Sequence, residues 1–163
     1  MSESMAGPRG PRNLDEIIDA TFAHYFRHPG NEKPDKEQQY RERGLVFTNN
    51  FRLIFCTSTL EEILPGTPNP YDYRYLPYGA VVEKFREENP DLWERARIAG
   101  EHATAAMTAY TGPLFEGREQ EAEAMLPAAE QAAWDENEVL TEAFKIIAPQ
   151  LETAGIDPIT ICR

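Results

Sequence analysis

The chain has 163 residues, a net charge of −12 and 41% hydrophobic residues. That length fits one domain with a core of its own, and that apolar content argues against bulk disorder. The longest apolar runs are short, as at 53–56, far below the roughly 20 residues that cross a bilayer. An acidic balance of this size opposes direct contact with nucleic-acid phosphates.

Residues 1–12 are rich in Gly, Pro and Ser and carry no apolar stretch of the secretory kind. The expectation is a flexible tail, then a single helical domain over 13–163, in a cytoplasmic location. The two cysteines, Cys56 and Cys162, are expected as reduced, buried thiols rather than a disulfide framework.

Apolar residues at Leu14, Ile17, Ile18, Phe22, Tyr25 and Phe26 fall on one helical face, which predicts a first helix. Asn13 suits its N-cap, Asp15 and Glu16 suit the dipole of its first turn, and Pro29-Gly30 ends it. Residues 31–43 are polar, either a loop or a solvent-facing helix. Residues 45–59 are ambiguous. Phe47, Phe51, Ile54 and Phe55 keep helical spacing, but Thr48, Asn49, Asn50, Cys56 and Thr57 favour strands, and strands are the reading preferred here. A short helix is expected over 60–64, capped by Ser58 or Thr59. Residues 65–79 carry four prolines and four tyrosines, which excludes a helix and predicts an ordered extended loop.

A helix over 80–88 follows. Asn89-Pro90 reads as an N-cap with proline at N1, starting a helix over 90–110 that Gly112-Pro113 stops. Ala96, Ala99, Gly100, Ala103 and Ala106 give that helix a small-residue face suited to close approach by another helix. Ile98 lies off that face. The stretch 117–153 is helical, with a seam from Ala122 through Ala129, Leu140 and Phe144 to Leu151, a kink or division at Pro127, and Gly155 as its C′ residue. Residues 159–162 alternate and suggest a terminal strand pairing with 45–57. The fold class expected is mainly α, four to five helices, with a small two- or three-stranded antiparallel sheet.

His24 and His28, four apart on the first helix, could share a metal, but no third ligand is evident and imidazolium also suits a helix end, so no metal or other cofactor is expected. Glu136 falls on the apolar seam between Ala133 and Leu140. A carboxylate there needs a partner, and Arg95 or Arg97 is a candidate. Glu136 and His102 are the weak catalytic candidates. Tyr71, Tyr73, Arg74, Tyr75 and Tyr78 form a candidate recognition loop, or their rings complete the core. Residues 116–142 hold nine acids against the single base Arg118, so Glu119, Glu121 and Glu123 are candidate contacts for a basic protein.

These features point to an acidic protein-interaction module that binds a basic protein partner or self-associates as a homo-oligomer, with no direct nucleic-acid or membrane contact. The alternative is a small enzyme or ligand-binding domain with a pocket under the tyrosine loop.

Overall fold

The computed structural model describes residues 11–27, 29–30, 32–46, 50–55 and 73–162. Five α-helices run through them: α1 (Leu14–Phe26), α2 (Pro34–Glu42), α3 (Gly79–Glu88), α4 (Pro90–Phe115) and α5 (Glu119–Thr153). Three 3₁₀ turns join them, at Phe51–Phe55, Tyr73–Tyr75 and Pro158–Cys162.

Helix α1 starts where its sequence says it should. Asn13 accepts a hydrogen bond from the Glu16 backbone at 2.9 Å, and Glu16 accepts one from the Asn13 backbone at 3.0 Å. This reciprocal capping box satisfies two otherwise orphaned donors. Helix α2 is the solvent-facing alternative for 31–43, with Pro34 in its first turn and Tyr40 as its buried residue. Tyr40 packs against Phe26 and Trp134, closing a small aromatic cluster with Phe22 and Leu45. Arg41 covers this cluster, with its guanidinium 4.2 Å from the Phe22 ring centre.

The expected sheet is absent among the described residues. The helical spacing of Phe51, Ile54 and Phe55 prevails over local strand preference, because a single 3₁₀ turn buries all three side chains together. At the other end Asp157 holds a turn rather than a strand, accepting hydrogen bonds from the Ile159 backbone at 3.0 Å and from the Thr160 hydroxyl at 2.7 Å. The helix expected over 60–64 and residue Cys56 lie outside the described residues, as does the Cys162 side chain.

Helix α4 starts at Pro90 as expected, but two details of the helix ends differ. Asn89 makes no N-cap bond for α4; its side chain donates back to the Phe85 carbonyl at 3.2 Å and caps α3 instead. Helix α4 does not stop at Gly112-Pro113 but runs to Phe115. The stop is Gly117, at φ +81°, where Gly117 N–H bonds to Leu114 and Arg118 N–H to Pro113. Those paired bonds are a Schellman motif, and its left-handed residue favours glycine. The same device ends α5 at Gly155, the residue expected there. Helix α5 continues undivided through Pro127. Pro127 and Glu123 are both exposed, so water can reach the carbonyl that the proline leaves unbonded.

The main core gathers on the C-terminal half of α5, where Ala143, Phe144, Ile147, Ala148 and Leu151 are fully enclosed. Phe51, Phe55, Tyr73, Phe85 and Trp93 bring the 3₁₀ turns, α3 and α4 onto it. Val46 N–H donates to the buried Thr141 hydroxyl at 3.1 Å, and Arg12 clasps Glu152 at 2.9 Å. Gly79 starts α3 directly under the Tyr73 turn, where an added Cβ would lie 2.4 Å from the Tyr73 carbonyl and 3.0 Å from that of Arg74. Both obstacles are backbone. Gly79→Ala is therefore expected to lower stability by about 2 kcal/mol, read as a lower urea midpoint; an unchanged midpoint would mean that the turn yields freely.

Candidate interaction surface

Helices α4 and α5 form an antiparallel hairpin that is the longest feature of the fold. At 1.5 Å per residue the 26 residues of α4 span about 39 Å and the 35 of α5 about 52 Å. The small-residue face of α4 is what lets them approach: Ala96, Gly100 and Ala103 are buried on α4, and Ala122, Ala129 and Leu140 on the seam of α5. The neighbour foreseen for that face is thus α5 of the same chain.

Glu136 sits at the middle of this seam, 7% exposed. Its partner is neither Arg95, which pairs with Glu142, nor Arg97, which pairs with Glu94 and Glu101. It is Arg52, on the first 3₁₀ turn. Arg52 Nε donates to both Glu136 oxygens at 3.2 and 3.0 Å, and Nη2 donates to the Gly100 carbonyl at 3.3 Å and the Thr104 hydroxyl at 3.1 Å. Burial pushes the Glu136 carboxyl above its ordinary pKa, and Arg52 pulls against that rise. Gly100 leaves room for this pair, since an added Cβ would lie 3.0 Å from Glu136 Oε2 and the carboxylate would have to shift. Arg52 thereby pins the loop region to the hairpin. Beside the pair opens a cleft of about 390 Å³ lined by Ala103, Thr104, Met107, Thr108 and Ala133.

Between Thr108 on α4 and Glu130 on α5 the described ion pairs are local to the turn. Here the hairpin is a two-helix arm. Its buried residues from 103 to 133 are Ala103, Pro113, Ala122 and Ala129. Alanines are too short to cover the larger side chains around them. Met107 is 43% exposed, Leu114 36%, Met125 39% and Phe115 83%. Glu119, Glu121 and Glu123 are exposed on the first turns of α5. Arg118 pairs locally with Glu116 and Glu121.

The remaining candidates are scattered. His24 is exposed near the end of α1 and His102 is exposed on α4, while His28 lies outside the described residues. Among the described residues no group of three metal-ligating side chains occurs. Tyr73 takes the core placement: it is 1% exposed, its ring lies 5.6 Å from Trp93, and its hydroxyl donates to Glu83 at 2.6 Å while accepting from Arg86 at 3.2 Å. Burial raises the pKa of its phenol, and Glu83 adds to the rise. Arg74 is exposed and Tyr78 half-buried; Tyr71 and the Tyr75 side chain lie outside the described residues. Phe115 escapes a reading of the sequence that ends the helix at Gly112-Pro113, because the stop is Gly117 instead.

No family model, curated protein or solved structure matches this chain. No described helix is long and apolar enough to cross a membrane.

Proposed function

We infer that the chain is an acidic protein-interaction module whose partner is a basic protein. The observation that carries this reading is the arm of α4 and α5: it extends past the core, exposes Phe115 at 83%, and is flanked by acids. An exposed ring of that size beside unburied methionines is poorly placed for stability alone and well placed for contact. The nine acids against Arg118 over 116–142 set the sign of the partner. The alternative, a pocket enzyme, gains less support, since Glu136 is engaged by Arg52 while His24 and His102 face solvent.

The test is affinity capture on the tagged chain at about 50 mM salt, with release at about 0.5 M, where screening shortens to about 4 Å. The wild type is expected to retain basic proteins that elute with salt. A Glu119→Lys/Glu121→Lys/Glu123→Lys variant is expected to lose them. A captured set that neither salt nor charge reversal alters would sink the reading.

A further inference from the structure

We propose that the cleft beside Arg52 and Glu136 binds a small aliphatic carboxylate, with its anionic end on Arg52 Nη1 and its body on Ala103, Met107 and Ala133. This goes beyond the interaction-module reading, which rests on the arm and its exposed acids.

The lining residues share one space of about 390 Å³ where α4, α5 and the first 3₁₀ turn meet. Helical-wheel arithmetic agrees: at about 100° per residue, Ala103, Thr104, Met107 and Thr108 fall within one arc of about 140° on α4. The volume lies at the small end of the range of ligand pockets, about 300–1,000 Å³. The wall is mostly apolar, from Ala103, Met107 and Ala133, with a few polar groups at its edge.

Arg52 supplies the recognition, because its guanidinium is fixed in place and incompletely used. Arginine carries five N–H donors. Nε gives its one to Glu136, and Nη2 donates to the Gly100 carbonyl and the Thr104 hydroxyl. Among the described residues none accepts from Nη1. Glu136 therefore holds one nitrogen of the fork, and the acceptors on Nη2 are uncharged. The charge is delocalised over the whole guanidinium, so Nη1 is still a cationic donor. Thr104 accepts from Arg52, which leaves its O–H to donate, and Thr108 adds a second hydroxyl to the lining.

Donors without acceptors set the class of ligand. Nη1 and two hydroxyls beside an apolar wall call for an acceptor-rich head on an aliphatic body, and a carboxylate is the planar acceptor that a guanidinium matches. Glu136 limits the affinity, since the ligand must share one cation with it. A doubly charged phosphate meets that opposition twice over and gains nothing from the apolar wall. A ligand of this size is expected to bind in the millimolar range.

The test is a titration of the isotope-labelled full chain with sodium butyrate at constant ionic strength, read by the NMR shifts of backbone amides and of the Arg52 Nε–H. Butyramide, equal in size and uncharged, is the control. Saturable shifts at Arg52, 103–108 and 133–136 are expected, with a response to butyramide roughly tenfold weaker. Thr108→Val should weaken butyrate binding about threefold through the lost hydroxyl. Ala133→Met, which fills the cleft, should abolish it. Thr108 is exposed and Ala133 half-buried, so both variants should keep wild-type spectral dispersion. An equal response to butyramide overturns the proposal, as do shifts scattered over other surfaces, the absence of saturation by about 100 mM, or butyrate binding that survives Ala133→Met. Failure of the interaction-module reading shows separately, as capture without dependence on salt.

Discussion

Replacing Trp93 by alanine is expected to remove about 4 kcal/mol of stability, the range for deleting a buried tryptophan. Trp93 is 4% exposed and stands where four parts of the chain meet. Its ring centre lies 4.6 Å from that of Phe55, 5.6 Å from Tyr73 and 6.4 Å from Phe85, and the Arg86 guanidinium covers it at 4.9 Å. No neighbour can collapse into the space, because each is held by another element. Since small domains are stable by about 5–15 kcal/mol in all, such a loss moves the urea midpoint down by about 2 M. The remaining tryptophan, Trp134, lies in the separate aromatic cluster and reports the transition by fluorescence. A midpoint within about 0.5 M of wild type would show that α3 and both turns do not depend on this ring.

The second large effect is at the Arg52–Glu136 pair. Arg52→Met leaves the Glu136 carboxylate enclosed between α4 and α5 without its cation. Breaking a buried pair on one side is severe. The Arg52 side chain is 33% exposed, so the expected loss at neutral pH is reduced to about 2–3 kcal/mol. The double variant Arg52→Met/Glu136→Leu should recover all of it, since apolar packing commonly equals or exceeds a buried ion pair. The pH dependence has a fixed sign. Glu136 has a raised pKa in the folded chain, so the folded state binds its proton more tightly than the unfolded one. Its contribution to stability therefore falls as pH rises from the ordinary carboxylate value of about 4.3 up through its folded value. Arg52→Met steepens that fall, because the group opposing the rise is gone, and the double variant abolishes it. Denaturation of the three proteins across pH 4–8 reads both effects. An Arg52→Met protein as stable as wild type at neutral pH, with an unchanged profile, would refute the pair's role.

Where periodicity and caps coincided, the sequence was legible. Asn13 and Glu16, the face of α1, and the seam of α5 through Phe144 to Leu151 all follow from spacing and local hydrogen bonding. The 3₁₀ turn at Phe51–Phe55 did not, because its strand-favouring residues compete with a helical burial pattern and only the core decides between them. Glu136 stood out as a carboxylate on an apolar seam. Its partner did not, since Arg52 lies 84 residues away in a segment of undecided structure. The tyrosine loop showed the limit of composition: alternation left Tyr73 open between a recognition surface and the core, and the structure buries it beside the close approach of Gly79 to its turn.

The placement of the core on α5 bears on the order of folding during synthesis. The rings of Phe51 and Phe55 emerge early, but the helix that encloses them begins only at Glu119. The hydrogen bonds that close the domain join Val46 to Thr141 and Arg12 to Glu152, across 95 and 140 residues. The hairpin, by contrast, zips from its Gly117 turn through local contacts. A nascent chain therefore carries its N-terminal aromatic surface uncovered until the last helix leaves the ribosome, and the closure of that long loop is the slow, aggregation-exposed step of its biogenesis.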